Sequence, residues 1–294
     1  MITKSFPINK LVIIGVGLIG GSLGLALSGA AKVSQIMGYG RNANHLARAR
    51  ELGAIDNWST DLRIALTDAD MIMIATPLSA TPNLFSDIKR NIDSDCVITD
   101  AGSAKGNIVE AGRNLLGDLF CNFVPGHPIA GLEKSGVEAA TRELFVGHNV
   151  ILTPVNETKA RPLESVTSLW AQTGANLMTM SPEQHDQILA LTSHLPHIIA
   201  YSLVSLLSKN ATTDPEVFEL AAGGFYDISR IASSSPIMWR DICLDNSEQL
   251  LSQIENYRDM IDRFASLIRL GDAKSLEAMF EDARLAREKI GERR

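Results

Sequence analysis

Short apolar runs alternate with stretches of helical period over the first 180 residues, and beyond them helical period continues alone. The runs SQIMGY (34–39), DMIMIAT (70–76), DCVITDAG (95–102), CNFVPG (121–126), HNVILTP (148–154) and ANLMTM (175–180) predict strands, with helices between most of them. Repeated β-α units of this kind predict an α/β fold, a doubly wound Rossmann-type parallel sheet whose ligands lie beyond the carboxyl ends of its strands. At Ser181 the pattern changes. In SPEQHDQ, Ser181 stands at an N-cap, Pro182 at the first helical position and Gln184 at the capping-box position, so a helix starts there. ILALTSHLPHIIAYSLVSLL, SEQLLSQIENYRDMIDRFASLI and KSLEAMFEDARLAREKI follow without strand-like alternation. The predicted domains are therefore an α/β domain over 1–180 and an all-helical domain over 181–294. Long apolar stripes on so small a helical domain serve as core or as a subunit interface, and they predict a homodimer.

The first apolar run needs a separate decision. From Leu11 to Ala30 the chain reads LVIIGVGLIGGSLGLALSGA without a charge, behind Lys4 and Lys10. About 20 apolar residues suffice to span a bilayer, and a secretion signal begins with a basic segment. Six glycines argue against both, because each costs a helix interior up to roughly 1 kcal/mol relative to alanine. Their order, IIGVGLIGG, predicts a strand, a GxGxxG turn and a small-residue helix. Gly15 then allows the tight turn, Gly17 the approach of a pyrophosphate, and Gly20 close packing of helix on strand. The helix presents free N–H groups and its positive dipole end to the phosphates. With this run assigned, no other segment is expected to approach 20 uncharged residues, so neither membrane nor secretion is expected.

Composition narrows the classes further. The chain has 294 residues, 45% hydrophobic and 21% charged, which is ordinary for a folded protein of two domains. Its net charge of -7 gives no electrostatic basis for nucleic-acid binding. An anionic ligand must then be met by locally placed cations. Cys96, Cys121 and Cys243 are widely spaced and form no CxxC, so neither a disulfide framework nor a zinc cluster is indicated, and a reducing cytoplasmic setting follows.

The cofactor is expected to be a nicotinamide dinucleotide held by Gly15, Gly17, Leu18, Ile19, Gly20, Gly40, Arg41, Thr76 and Pro77. An acidic residue at the end of the second strand normally holds the ribose 2′-hydroxyl of NAD. Here that strand ends GYGRN, with Gly40 in place of the carboxylate and Arg41 next. Arg41 is either a solvated turn residue or a fork for a 2′-phosphate. The pattern favours NADP and leaves NAD open.

Three further stretches carry candidate chemistry. In ITDAGSAKG, Ser103 is either a substrate or cofactor donor or a helix N-cap, and Lys105 is ambiguous. In FVPGHPIAG, His127 lies between Gly126 and Pro128 in a loop expected to escape deep burial, where its neutral form serves as a base unless it is merely structural. In the helical domain, TSHLPHIIAY places His194 and His197 on one helix face beside a bend at Pro196, without the ligands that would complete a metal site. GGFYDISRIASSSPIMWRDI adds Asp227, Arg230 and Arg240, either as a buried arginine fork for a carboxylate or as internal Asp–Arg pairs.

Together GVGLIGGSLGLAL, DAGSAKG, GHPIAGLEKSG, LTSHLPHIIAYSL and GFYDISRIASSSPIMWRDI resemble the prephenate/arogenate (cyclohexadienyl) dehydrogenase family of tyrosine biosynthesis over nearly the whole chain. The resemblance implies oxidative decarboxylation, with hydride passing to NAD(P)⁺ as carbon dioxide leaves and the ring becomes aromatic. It implies that His127 accepts the hydroxyl proton, that Ser103 aligns substrate and histidine, that Arg230 grips a carboxylate and that His197 lines the substrate pocket. Glu133 and Asp227 would join the polar network at the entrance. No ACT or chorismate mutase domain follows, so control through such a domain is not expected, and tyrosine is left to compete at the active site. Competing readings are a β-hydroxyacid dehydrogenase, which needs its own catalytic lysine context, and a non-catalytic NADP-binding sensor.

Overall fold

The computed structural model describes residues 8–29, 33–92, 95–132, 134–211 and 216–291. Alternation at period two explains the first strand, β1 (Ile8–Ile14): Leu11 and Ile13 enter one buried cluster, Val12 and Ile14 the other. After the glycine turn come α1 (Leu18–Leu27), β2 (Val33–Tyr39), α2 (Ala43–Glu51), β3 (Asn57–Ser59), α3 (Leu62–Leu66), β4 (Met71–Ile74), α4 (Thr81–Lys89), β5 (Val97–Asp100), α5 (Gly106–Leu116) and β6 (Phe123–Val124). These strands form one parallel sheet in the order β3-β2-β1-β4-β5-β6. The order reverses between β1 and β4, which places a ligand crevice at their carboxyl ends.

Both faces of the sheet are covered, as a parallel sheet requires. Leu23 and Leu27 of α1 and Leu46 of α2 pack on the side of Leu11 and Ile13. Leu66, Phe85, Ile88, Ile108 and Leu116, from α3, α4 and α5, pack on the side of Val12 and Ile14. Each such apolar side chain, fully buried, contributes about 1.5–3 kcal/mol.

Beyond β6 the chain departs from a single parallel sheet. Pro125 has no N–H to donate and ends the ladder; β7 (Gly126–Pro128) then pairs antiparallel with β8 (Asn149–Leu152). After α6 (Ala160–Ala171), β9 (Asn176–Thr179) pairs parallel with β8. The predicted strands at HNVILTP and ANLMTM therefore exist but belong to a second, three-stranded mixed sheet. The strands β3 and β7, of three residues each, are too short for an alternation to announce them.

The helix at Ser181 begins as its caps dictate: α7 (Pro182–Leu189) has Ser181 accepting the Gln184 N–H at 3.1 Å. A single π turn, Ala190–His194, leads into α8 (Leu195–Ala211) and absorbs the missing N–H of Pro196. The expectation of no second long uncharged run is corrected here. Gln187–Ser208 lacks Asp, Glu, Lys and Arg, and the continuous helix Pro182–Ala211 is long and apolar enough to cross a membrane. Ile188, Leu191 and Leu206 are exposed along it. α9 (Glu216–Glu219), α10 (Gly223–Ser229) and α11 (Pro236–Asp245) follow, and Trp239 and Ile242 of α11 join the second core cluster. The compact unit ends at Ser247; residues 248–294 form another, built from α12 (Ser247–Leu270) and α13 (Ala273–Gly291).

Candidate active site

The glycine turn closes the crevice by backbone geometry. Gly15 has φ +92°, and a Cβ there would lie 2.6 Å from the Ala75 carbonyl oxygen. A Cβ on Gly20 would lie 2.2 Å from the Gly15 oxygen, so this glycine lets α1 sit against the turn. Gly17, the N-cap of α1, has nothing within 4 Å of its Cβ position and leaves the N–H groups of Leu18, Ile19 and Gly20 open to an anion. Gly24, outside the motif, has the tightest approach: its Cβ would stand 1.9 Å from the Ala54 oxygen.

A cleft of about 930 Å³ opens here, lined by Gly15, Gly17, Gly40, Arg41, Thr76 and Pro77 and walled by Arg48, Val137 and Glu138. Leu18, Ile19 and Gly20 are not among the residues that line it. The Thr76 hydroxyl is buried without a partner in this wall, an orphan that a ligand group can satisfy. Gly40 has room for a side chain, its Cβ position being 3.5 Å from Leu46. Cradle and orphan hydroxyl fit a dinucleotide.

A buried, hydrogen-bonded cluster of histidines begins where β6 gives way to β7. His127 is in β7 and only 8% exposed, which corrects the expectation of an unburied loop: antiparallel pairing with β8 covers it. Its Nδ1 lies 2.9 Å from Nε2 of His185, and the Nδ1 of His185 lies 2.7 Å from Asp186 Oδ1. Asp186 also accepts the Lys105 and Gly106 backbone N–H groups, at 2.9 and 2.7 Å, at the start of α5. Burial pushes the Asp186 carboxyl up, but the hydrogen bonds from His185, Gly106 and Lys105 outweigh it and hold it below its usual value.

These contacts assign tautomers. A carboxylate accepts only, so His185 Nδ1 carries the proton and its Nε2 accepts. His127 Nδ1 must then donate to it, which leaves Nε2 of His127 as the acceptor. Burial, then the neighbouring His185 and Lys105, hold the pKa of His127 well below 6.5, so the ring is neutral at pH 7.

Lys105 is a structural clamp. Fully buried, it pairs with Asp100 Oδ2 at 2.5 Å and donates to the Gly126 carbonyl at 2.8 Å, while Asp100 Oδ1 accepts the Gly126 N–H at 3.1 Å. Both sides of the residue before His127 are thereby fixed. Because Lys105 is itself the N-cap of α5, Ser103 does not cap that helix and stays half-buried in the loop.

The helical side is assembled from side chains. Asn246 donates to the Asp186 carbonyl at 2.8 Å and lies 3.1 Å from Nδ1 of His194. Burial lowers the pKa of His194 to about 4, and its Nε2 has no partner. His197 bonds the Ser193 carbonyl through Nδ1 at 2.9 Å and stacks on Trp239 with ring centroids 3.6 Å apart. Burial and the positive charge of Arg230 lower its pKa. Arg230 itself is exposed in the single chain, which corrects the expectation of a buried fork, and Asp227 is exposed too. Arg240 pairs with Asp241 at 2.6 Å, and Asp241 accepts the Ser79 hydroxyl at 2.6 Å, so this arginine serves the internal Asp–Arg reading. Glu133 lies outside the described residues. Among the described residues no three His, Cys, Asp or Glu side chains cluster as a metal site.

A dinucleotide crevice at the carboxyl ends of the sheet, in a chain that also buries a neutral, hydrogen-bonded histidine just beyond β6, suits a nicotinamide-dependent dehydrogenase. Two family models match: "Prephenate dehydrogenase, nucleotide-binding domain" over residues 23–179 and "Prephenate dehydrogenase, dimerization domain" over 181–282. The chain belongs to the prephenate dehydrogenase family of oxidoreductases. It is 36% identical to a prephenate dehydrogenase of Bacillus subtilis over 94% of this chain and 74% of that one. With a cyclohexadienyl dehydrogenase of Zymomonas mobilis the identity is 33%, over 95% of each. A prephenate dehydrogenase of A. aeolicus, solved in complex with hydroxyphenyl propionate and NAD⁺, superposes with a TM-score of 0.91 at 35% identity, over 98% of this chain and 100% of that one.

Proposed function

We propose that the chain carries out the oxidative decarboxylation of prephenate and/or arogenate with NAD(P)⁺, giving 4-hydroxyphenylpyruvate and/or tyrosine. The observation that carries this reading is the buried His127–His185–Asp186 chain, which presents an unprotonated Nε2 at the carboxyl end of the sheet. As hydride leaves the carbon bearing the hydroxyl, Nε2 of His127 takes the hydroxyl proton and a carbonyl forms. Cleavage of the bond from ring to carboxylate releases carbon dioxide, and its electron pair makes the ring aromatic and the oxygen a phenolate, which takes a proton back. Ser103 aligns the hydroxyl, Arg230 grips a side-chain or ring carboxylate, His197 on Trp239 walls the pocket, and Glu133 and Asp227 belong to the polar network at its entrance.

When bound, the nicotinamide supplies the hydride acceptor. Gly15, Gly17 and the first turn of α1 would hold the pyrophosphate, with Gly40, Arg41, Thr76 and Pro77 around the rest. With Gly40 in place of a carboxylate and Arg41 exposed beside it, NADP is the favoured cofactor. The exposed apolar positions of Pro182–Ala211 and the matched dimerization-domain model support a homodimer, which light scattering would register as twice the chain mass. Three free cysteines support a reducing, cytoplasmic setting.

The test is formation of reduced nicotinamide with prephenate and with arogenate, comparing kcat/KM for each. Turnover of at least one is expected. Dinucleotide binding with turnover of neither would favour a sensor.

A further inference from the structure

The cleft that lacks a carboxylate at Gly40 receives one from elsewhere in the chain. After β7 the backbone returns across α1: Gly136 turns at φ +88°, Val137 and Ala140 pack on Gly21, and the Thr141 N–H donates to the buried Ser22 hydroxyl at 3.0 Å. This anchoring brings Glu138 into the wall of the cleft, where Gly40, Arg41 and Arg48 also stand. Glu138 grips Arg48 with both oxygens, Oε1 to Nε at 2.8 Å and Oε2 to Nη2 at 3.4 Å, and Glu51 takes Nη1 at 3.1 Å. A guanidinium has five N–H donors, so Arg48 keeps part of its fork but faces two carboxylates. Two arginines that suit a phosphate therefore share this wall with an acid that opposes one.

We propose that Glu138 weighs the choice between NAD and NADP in this chain toward NAD, in opposition to Arg41. Its carboxylate occupies the function that an acidic residue at the end of β2 has in other sheets of this kind: it repels a 2′-phosphate, accepts from a ribose hydroxyl, and keeps Arg48 engaged. Arg41 pulls the other way, and the balance of the two fixes selectivity. The inference rests on the reading that the cleft holds a nicotinamide dinucleotide.

The experiment is calorimetric titration of the whole protein with adenosine 2′,5′-bisphosphate and with AMP, which differ only in the 2′-phosphate. Glu138→Gln keeps the side chain's shape at an exposed position, and circular dichroism confirms the fold. The ratio of the two affinities is expected to move about tenfold toward the bisphosphate in Glu138→Gln, and Arg48→Met added to it should cancel most of that gain. An unchanged ratio, or an equal loss for both nucleotides, overturns the inference and leaves the dinucleotide reading intact. A wild-type preference for AMP that Glu138→Gln reverses upholds the inference while removing the NADP preference. No binding of either nucleotide by wild type overturns the dinucleotide reading, and this inference with it.

Discussion

The cofactor cleft and the substrate side of this chain are built by different means. The cleft owes its shape to positions where a Cβ is forbidden, at Gly15, Gly20 and Gly24, and to helix N–H groups that no side chain supplies. The proposed substrate side draws on His127, His194, His197, Trp239 and Arg230, and the histidines are held by groups distant in sequence, His127 by His185, His194 by Asn246 and His197 by the ring of Trp239. The cleft of the first kind is lined by residues of a single chain. In the second, the buried histidines are fixed, whereas α10, which carries Asp227 and leads to Arg230, buries no residue at all. Backbone-defined sites tolerate substitution around them and fail abruptly at the glycines; side-chain-defined sites fail residue by residue.

The sharpest way to separate the two regions is to disable chemistry without touching the cleft. His127→Asn should lower kcat by about 10²–10⁴, the range for a general base, with the affinity for dinucleotide unchanged. A parallel loss in cofactor binding would mean that the two regions are not separable. Next in size is the buried Lys105–Asp100 clamp. Lys105→Met leaves Asp100 charged and buried without its partner, so unfolding free energy should fall by roughly 3–5 kcal/mol in urea denaturation. A loss under 1 kcal/mol would show that water reaches Asp100. Arg230→Ala should raise KM for substrate about tenfold or more and leave kcat nearly intact, with lysine a poor replacement because an ammonium lacks the planar fork. Full rescue by lysine would remove the fork.

The pH dependence sharpens the contrast further. His127 and His194 are held below their ordinary pKa by burial, so unfolding releases groups that bind protons more readily than the native state does. Their contribution to stability is present above pH 6.5 and is lost as pH falls toward about 4, the value for His194. Unfolding followed by fluorescence across that interval should show stability falling with acid; a flat profile would contradict neutral burial of the pair. The smallest effects belong to the cleft rim. Arg41→Ala should weaken NADP⁺ several-fold more than NAD⁺, by a margin that shrinks with salt. Gly40→Asp, for which Leu46 leaves room, should turn the preference toward NAD⁺.

What the sequence disclosed follows the same division. GxGxxG, the N-cap at Ser181 and the six apolar strands are local patterns, and each corresponds to an element in the structure. His127 was visible as a histidine confined at a strand end, but its burial was not, because β8 covers it from more than 20 residues away. His185 and Asp186 sit in SPEQHDQ, a stretch that signals only a helix start; their roles come from partners 58 and 80 residues distant. Lys105 was ambiguous because its partners Asp100 and Gly126 lie on separate strands. The mixed sheet went unseen because the turn of direction rests on Pro125, which reads equally as a loop.

The proposed chemistry requires that His127 meet its substrate as a neutral ring with Nε2 unprotonated. Nitrogen NMR of histidine-labelled protein reads that state directly. His127 is expected to be protonated at Nδ1 alone at pH 7, and to stay so well below pH 6.5. An imidazolium, or a ring protonated at Nε2 alone, would contradict it.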